Sequence, residues 1–259
     1  MQSTGHKWDG DLEELNNPLP RWWLNMFYIT MIWGIGYLLL YPGVGTHSML
    51  LGWSQLKQYD EEMAAAEKRY GPIFEQFVNE DVAVVARSPE ALKIGRRLFV
   101  NYCAGCHGSD AGGNPGFPNL RDSDWLHGGS PEAIKTSIMN GRNGVMPIWG
   151  DAVGAESVKN LTQYVLSLNG REFNEADASA GKKTFEALCT SCHGKDGAGN
   201  PQLGGPDLTN NVWLYGGSPK TIAASIANGR WGEMPPHADF LGEAKSHLLA
   251  AYVFSLTNR

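Results

Sequence analysis

The pattern Cys-x-x-Cys-His occurs twice, as Cys103-Ala-Gly-Cys106-His107 and as Cys189-Thr-Ser-Cys192-His193, and the two copies use all 4 cysteines of the chain. No other feature limits the fold as tightly. Two thiols three residues apart can both reach one macrocycle while the next residue turns under its metal, so the pattern is the attachment signature of a c-type haem. A zinc ribbon would need further Cys or His pairs, and a redox Cys-x-x-Cys requires no following histidine. The cofactor expectation is therefore two covalently attached c-type haems. Cys103 and Cys106 hold one, Cys189 and Cys192 the other, with His107 and His193 as iron ligands. No thiol remains for a disulfide, so the compartment must be read from haem attachment instead.

The run from Trp22 to Tyr41 carries no charge over 20 residues. As a helix it would be about 30 Å long, the thickness of a bilayer core. Trp22, Trp23, Tyr37 and Tyr41 fall where interfacial aromatics belong, and Pro42-Gly43 is expected to stop it. The leader before it is acidic (Lys7 and Arg21 against Asp9, Asp11, Glu13 and Glu14), unlike the basic start of a cleaved signal peptide. The expected segments are a cytoplasmic leader over 1–21, a transmembrane anchor over 22–42 and a periplasmic linker with a helical arm over 43–87. The arm, Gln58 to Arg69, places acids before bases in agreement with the helix dipole, and Gly71-Pro72 is expected to break it. Because bacterial c-type haem is attached outside the cytoplasmic membrane, the expected location is the inner membrane, single-pass, with the bulk in the periplasm. The formal net charge of −6 excludes the basic footprint of a nucleic-acid binder.

The remainder is one unit written twice, over 88–172 and 173–259. The haem motifs lie 86 residues apart, and after a two-residue insertion the offset becomes 88. At that offset Trp125 matches Trp213, Gly128-Gly-Ser-Pro131 matches Gly216-Gly-Ser-Pro219, and Asn140-Gly-Arg142 matches Asn228-Gly-Arg230. A repeat of this size is a duplicated domain rather than a solenoid. Each copy reads as three helices joined by long loops. Ser88-Pro89, Ser130-Pro131 and Ser218-Pro219 are helix starts, and Gly141 and Gly229 are stops. The last helix of the first copy covers Glu156–Leu168. Gly95 and Gly181 are placed to let first and last helices cross closely.

The sixth iron ligand sets the chemistry, because methionine gives a closed, electron-transferring site of raised potential. Met146-Pro147 and Met234-Pro235 recur in both copies, 39 and 41 residues beyond His107 and His193. The expected pairs are His107 with Met146 on the first iron and His193 with Met234 on the second. His237 is the rival ligand for the second iron. Met139 has Ala227 as its counterpart and reads as packing. His6, His47, His127 and His247 have no repeat partner and read as surface or loop residues. The carbonyls of Pro118 and Pro206 are candidate acceptors for the ligand imidazoles. Arg142, Arg230, Trp125 and Trp213 are candidate propionate contacts, or else helix-end charges and core aromatics.

Together these residues resemble the membrane-anchored dihaem subunit of the cbb3-type cytochrome c oxidases. The more specific part is the leader, Trp8-Asp-Gly-Asp11 to Pro18-Leu-Pro-Arg-Trp-Trp23, entering a single span. The resemblance implies a mostly α fold, with one N-terminal transmembrane helix followed by two tandem class I cytochrome c domains. It implies His/Met ligation at both haems, soluble cytochrome c or another periplasmic donor, and partners that are a monohaem and a haem–copper catalytic subunit, with membrane lipid around the anchor. On this reading the chain transfers electrons and does not itself reduce oxygen. The alternatives are a free-standing tethered carrier for other periplasmic reductases, and a dihaem dehydrogenase or peroxidase, which the paired Met-Pro motifs argue against.

Overall fold

In the computed structural model, residues 2–41 and 50–257 are described, and the chain divides after Gly71 into two units. The first unit opens with an antiparallel hairpin, β1 (Ser3–Trp8) and β2 (Leu12–Leu15), with Lys7 opposite Glu13 and Trp8 opposite Leu12. The sequence reading assigned this leader no structure. Its turn is made by Asp9 (φ 48°) and Gly10 (φ 88°), two residue types that tolerate left-handed backbone. Helix α1 (Arg21–Leu40) has no buried residue and is long and apolar enough to cross a membrane. The expected stop at Pro42-Gly43, and His47, lie outside the described residues. Helix α2 (Gln55–Glu75) differs from expectation by running through Pro72. A proline removes one intrahelical donor, and the next turn still closes through Gln76 N–H to the Pro72 carbonyl at 3.4 Å.

The second unit contains α3 (Val82–Val85), α4 (Pro89–Tyr102), α5 (Ala104–His107), α6 (Pro131–Asn140), β3 (Arg142–Met146) and α7 (Gly150–Leu168). The same plan follows as α8 (Glu175–Leu188), α9 (Thr190–His193), α10 (Pro219–Asn228), β4 (Arg230–Met234) and α11 (Ala238–Thr257). The Ser-Pro starts are helix caps as read: Ser88 Oγ accepts from Ala91 N–H at 3.3 Å, Ser130 Oγ from Ala133 N–H at 3.2 Å and Ser218 Oγ from Thr221 N–H at 3.1 Å. Each Ser→Ala change is expected to cost about 1 kcal/mol. The measurement is chemical denaturation of the full chain in detergent, with haem content unchanged.

The packing of these helices does not follow the order of the repeats. Helix α11, from the second copy, packs on α3, α4 and α6 of the first, while α7, from the first copy, packs on α8 and α10 of the second. One core therefore gathers Ala91, Ile94, Phe99, Ile134 and Ile138 around Leu248, Leu249 and Tyr252. The other gathers Phe185, Ile222 and Ile226 around Val158, Leu161 and Val165. Gly95 and Gly181 do sit at close helix crossings, but the partners are exchanged. A Cβ on Gly95 would lie 2.6 Å from the Leu248 carbonyl oxygen of α11, and one on Gly181 would overlap the Asn160 carbonyl of α7.

The exchange passes through a feature the sequence reading missed. Strands β3 and β4 pair antiparallel in register, Arg142 opposite Met234 and Met146 opposite Arg230. A residue before proline is pushed to extended backbone, which places each Met-Pro at the end of a strand. Each repeat supplies one strand, and the strand from each repeat ends in a methionine packed on the core that holds the other repeat's first cysteine.

Candidate haem centres

The two attachment motifs are built alike. In each, the helix before the motif ends at the first cysteine, and one further turn (α5 or α9) carries the second cysteine and then the histidine. None of the four cysteines is paired in a disulfide. Burial, reinforced by Cys106, pushes the Cys103 thiol up to about 11, and burial raises Cys189 as well. A neutral thioether is at ease in such surroundings, whereas a thiolate is not. The surroundings of Cys103 and Cys189 therefore suit covalent attachment to an apolar macrocycle, with the exposed Cys106 and Cys192 one turn further on.

Each imidazole is fixed by a proline carbonyl. His107 Nδ1 lies 3.0 Å from the Pro118 oxygen and His193 Nδ1 lies 3.1 Å from the Pro206 oxygen. Such a bond holds Nδ1 protonated and leaves Nε2 as the free electron pair. Burial makes both rings less basic, and each carbonyl works in the opposite direction; at His107 the neighbouring His237 lowers basicity further. The donor set fits a c-type haem at both positions.

The methionines are sorted across the repeats. Met234 packs on the core that holds Cys103, Ala104 and Trp125, and Met146 packs on the core that holds Cys189 and Trp213. The sequence expectation paired Met146 with the first motif and Met234 with the second; the packing sets each methionine beside the other motif. The antiparallel β3–β4 pair, one strand from each repeat, accompanies this exchange. The backbone supports repeat the exchange. His237 N–H donates to the Ile138 carbonyl at 3.1 Å, and its counterpart Trp149 N–H donates to the Ile226 carbonyl at 3.2 Å. Gly141, at φ +69°, abuts the Met234 carbonyl, and Gly229, also at φ +69°, abuts that of Met146.

The rival ligand moves too. His237 follows Met234 to the first core and interacts with His107, so it stands near the first site and not the second. His247, expected at the surface, is 3 % exposed on the apolar helix α11. His127 is half-buried beside Arg142; burial first, and the Arg142 charge second, hold its ring less basic than usual. Its counterpart Tyr215 lies under the Arg230 guanidinium, 4.5 Å from the ring centroid. Arg142 Nε donates to Ser137 Oγ at 2.9 Å and Arg230 Nε to Ser225 Oγ at 2.8 Å, so both guanidinium groups are held in the same way. Those serines were the residues sequence reasoning missed; their shared offset from the arginines was the available signal.

A cavity of about 450 Å³ is lined from both repeats, by Pro118, Trp125 and Leu126 on one side and Pro206, Trp213 and Tyr215 on the other. The loops that follow the two histidines thus open on a common space. They are tied together there by Gly116 N–H donating to the Leu214 carbonyl at 2.8 Å and by Asn210 donating to Asp124.

Comparison with known proteins gives one consistent result. Residues 90–165 and 176–253 match the family described as cytochrome c oxidase, cbb3-type, subunit III. Residues 1–48 match the N-terminal domain of cytochrome oxidase-cbb3, FixP. The chain is similar to the cbb3-type cytochrome c oxidase subunit CcoP of Rubrivivax gelatinosus, 47% identical over 256 residues, covering 98% of this chain and 84% of the relative. It is also similar to CcoP of Rhodobacter capsulatus, 38% identical over 284 residues, covering 99% and 95% respectively. The cbb3-type subunit FixP of Azorhizobium caulinodans is 38% identical over 271 residues, covering 98% and 92%.

Proposed function

Since this chain belongs to the family of subunit III of cbb3-type cytochrome c oxidases, we propose that it is the dihaem electron relay of such an oxidase. It is anchored by α1 with its leader in the cytoplasm and its second unit in the periplasm. It accepts electrons from a periplasmic donor such as soluble cytochrome c and delivers them toward a monohaem subunit and the haem–copper subunit where oxygen is reduced. The observation that carries the proposal is the pair of like donor sets. In each, the first attachment cysteine and a methionine at a strand end pack on one core, and the motif's histidine is fixed by a proline carbonyl.

When bound, each haem supplies a one-electron centre whose potential is raised by methionine ligation. His107 and Met234 would hold the first iron; His193 and Met146 would hold the second. Pro118 and Pro206 keep each imidazole in one tautomer, so that the same nitrogen always faces the metal. Trp125 and Trp213, packed on their cores, shield the sites from water. Arg142 and Arg230 are placed by Ser137 and Ser225 to meet propionates. The loops after the two histidines line one cavity and are tied to each other, so the residues that would hold the two haems belong to one unit.

The test is purification of the tagged chain from its native membrane in mild detergent. Co-purified b-type haem and copper with cyanide-sensitive oxygen uptake is the expected outcome. A pure c-type spectrum without uptake, reproduced in several detergents, would instead identify a free-standing carrier.

A further inference from the structure

The hairpin β1–β2 poses a physical problem. Every residue of both strands is exposed, including Trp8 at 53%, Leu12 at 62% and Leu15 at 55%. A two-stranded hairpin on its own is marginal in water and needs a third strand or a packed face. Here one face is partly organised already. Trp8 stands opposite Leu12, its ring meets His6 edge-on at 4.4 Å, and its indole N–H donates to Glu14 at 3.1 Å. Both strand edges remain available for pairing.

Charge discriminates between the surfaces that might cover it. Between Ser3 and Leu15 the hairpin carries Asp9, Asp11, Glu13 and Glu14 against the single Lys7, which is already engaged with Glu13 at 3.1 Å. The cytoplasmic leaflet is negatively charged and repels such a surface. Cytoplasmic loops of integral membrane proteins, in contrast, carry an excess of Lys and Arg. The hairpin also precedes the span closely in sequence, so its occupant must lie at the membrane face.

We propose that the acidic hairpin Ser3–Leu15 is a docking element that seats on a Lys/Arg-rich cytoplasmic loop of an integral partner subunit of the oxidase, with Trp8 and Leu12 as its apolar contact. The inference rests on the oxidase-subunit reading and on the cytoplasmic placement of the leader. It assigns the leader a role separate from haem chemistry, namely holding the relay to its complex from the side opposite the haems.

The experiment uses the full chain in its native membrane. The shape-conserving variant Asp9→Asn, Asp11→Asn, Glu13→Gln, Glu14→Gln is compared with wild type, and Trp8→Ser serves as an independent probe of the apolar contact. After a salt wash that the wild-type complex survives, both variants are expected to lose most of their co-purified b-type haem. Their own c-type haem content per chain should stay unchanged, which controls for insertion and folding. In inverted membrane vesicles a glutamate-specific protease should cut wild type at Glu13 and Glu14 only when the partner subunits are absent. Retention of b-type haem at the wild-type ratio by both variants would overturn the proposal. So would protection of the hairpin in vesicles of anionic phospholipid containing this chain alone, which would identify lipid as the occupant. If wild type itself brings down no b-type haem, the oxidase-subunit reading fails instead, so the two failures are distinguishable.

Discussion

Replacing Met234 by alanine should open the iron of the haem attached to Cys103 and Cys106 and ligated by His107, and leave closed the iron of the haem attached to Cys189 and Cys192 and ligated by His193. The expectation follows from packing: Met234 lies on the first core although it belongs to the second repeat. The opened iron should bind carbon monoxide, and its potential should fall by on the order of 0.1 V or more, within the range of roughly 0.8 V that axial ligands span. The second potential should hold. Pairs of substitutions separate the crossed arrangement from the sequential one. Combining His107→Ala with Met234→Ala strips one iron of both ligands and should leave the other with a normal low-spin spectrum. Combining His107→Ala with Met146→Ala should disturb both irons. The reverse pattern would reinstate ligation within each repeat.

The second large effect is expected from Gly181→Ala. A Cβ at this position overlaps the Asn160 carbonyl and crowds the Leu161 nitrogen, which are backbone atoms that cannot rotate away. Helices α7 and α8 must then separate along their contact, and the overpacking is expected to cost about 1–3 kcal/mol. Because α7 belongs to the first repeat and α8 to the second, the damage should appear at the haem attached to Cys189 and Cys192. The readouts are the midpoint of chemical denaturation and the carbon monoxide reactivity of that haem. Gly95→Ala, against Leu248 and Tyr252 of α11, should do the same to the other haem. A Gly181→Ala chain with unchanged midpoint would mean that the two helices have room the structure does not give them.

Local chemistry was legible in the sequence where it depends on neighbours along the chain. The Ser-Pro caps and the glycines after α6 and α10 come from short fragments whose conformation is set within a few residues, and the proline carbonyls facing His107 and His193 lie only 11 and 13 residues further along the chain. The pairing of Met146 and Met234 was not legible. Duplication makes both pairings equally consistent with spacing, since either copy of a helix presents nearly the same apolar face to either copy of its partner. What separates them is the β3–β4 crossing, and strands as short as Arg-Asn-Gly-Val-Met carry little periodicity. His247 illustrates a related failure. It has no counterpart in the first copy, which suggested a surface residue, yet α11 is apolar around most of its circumference and takes the histidine into the core with it. The leader hairpin was hidden for another reason: its three apolar residues are too few to stand out against an acidic run.

The crossed strands also impose an order in time. Met146 precedes His193 by 47 residues, whereas Met234 follows His107 by 127. On the proposed ligation, the second attachment motif would meet a methionine that is already present as the chain emerges. The first motif would wait for nearly the whole of the second repeat. A chain interrupted anywhere before β4 would then carry a haem on Cys103 and Cys106 but could not close it. The site nearest α1 in sequence would be the last to be completed, and its closure would report that synthesis has reached β4.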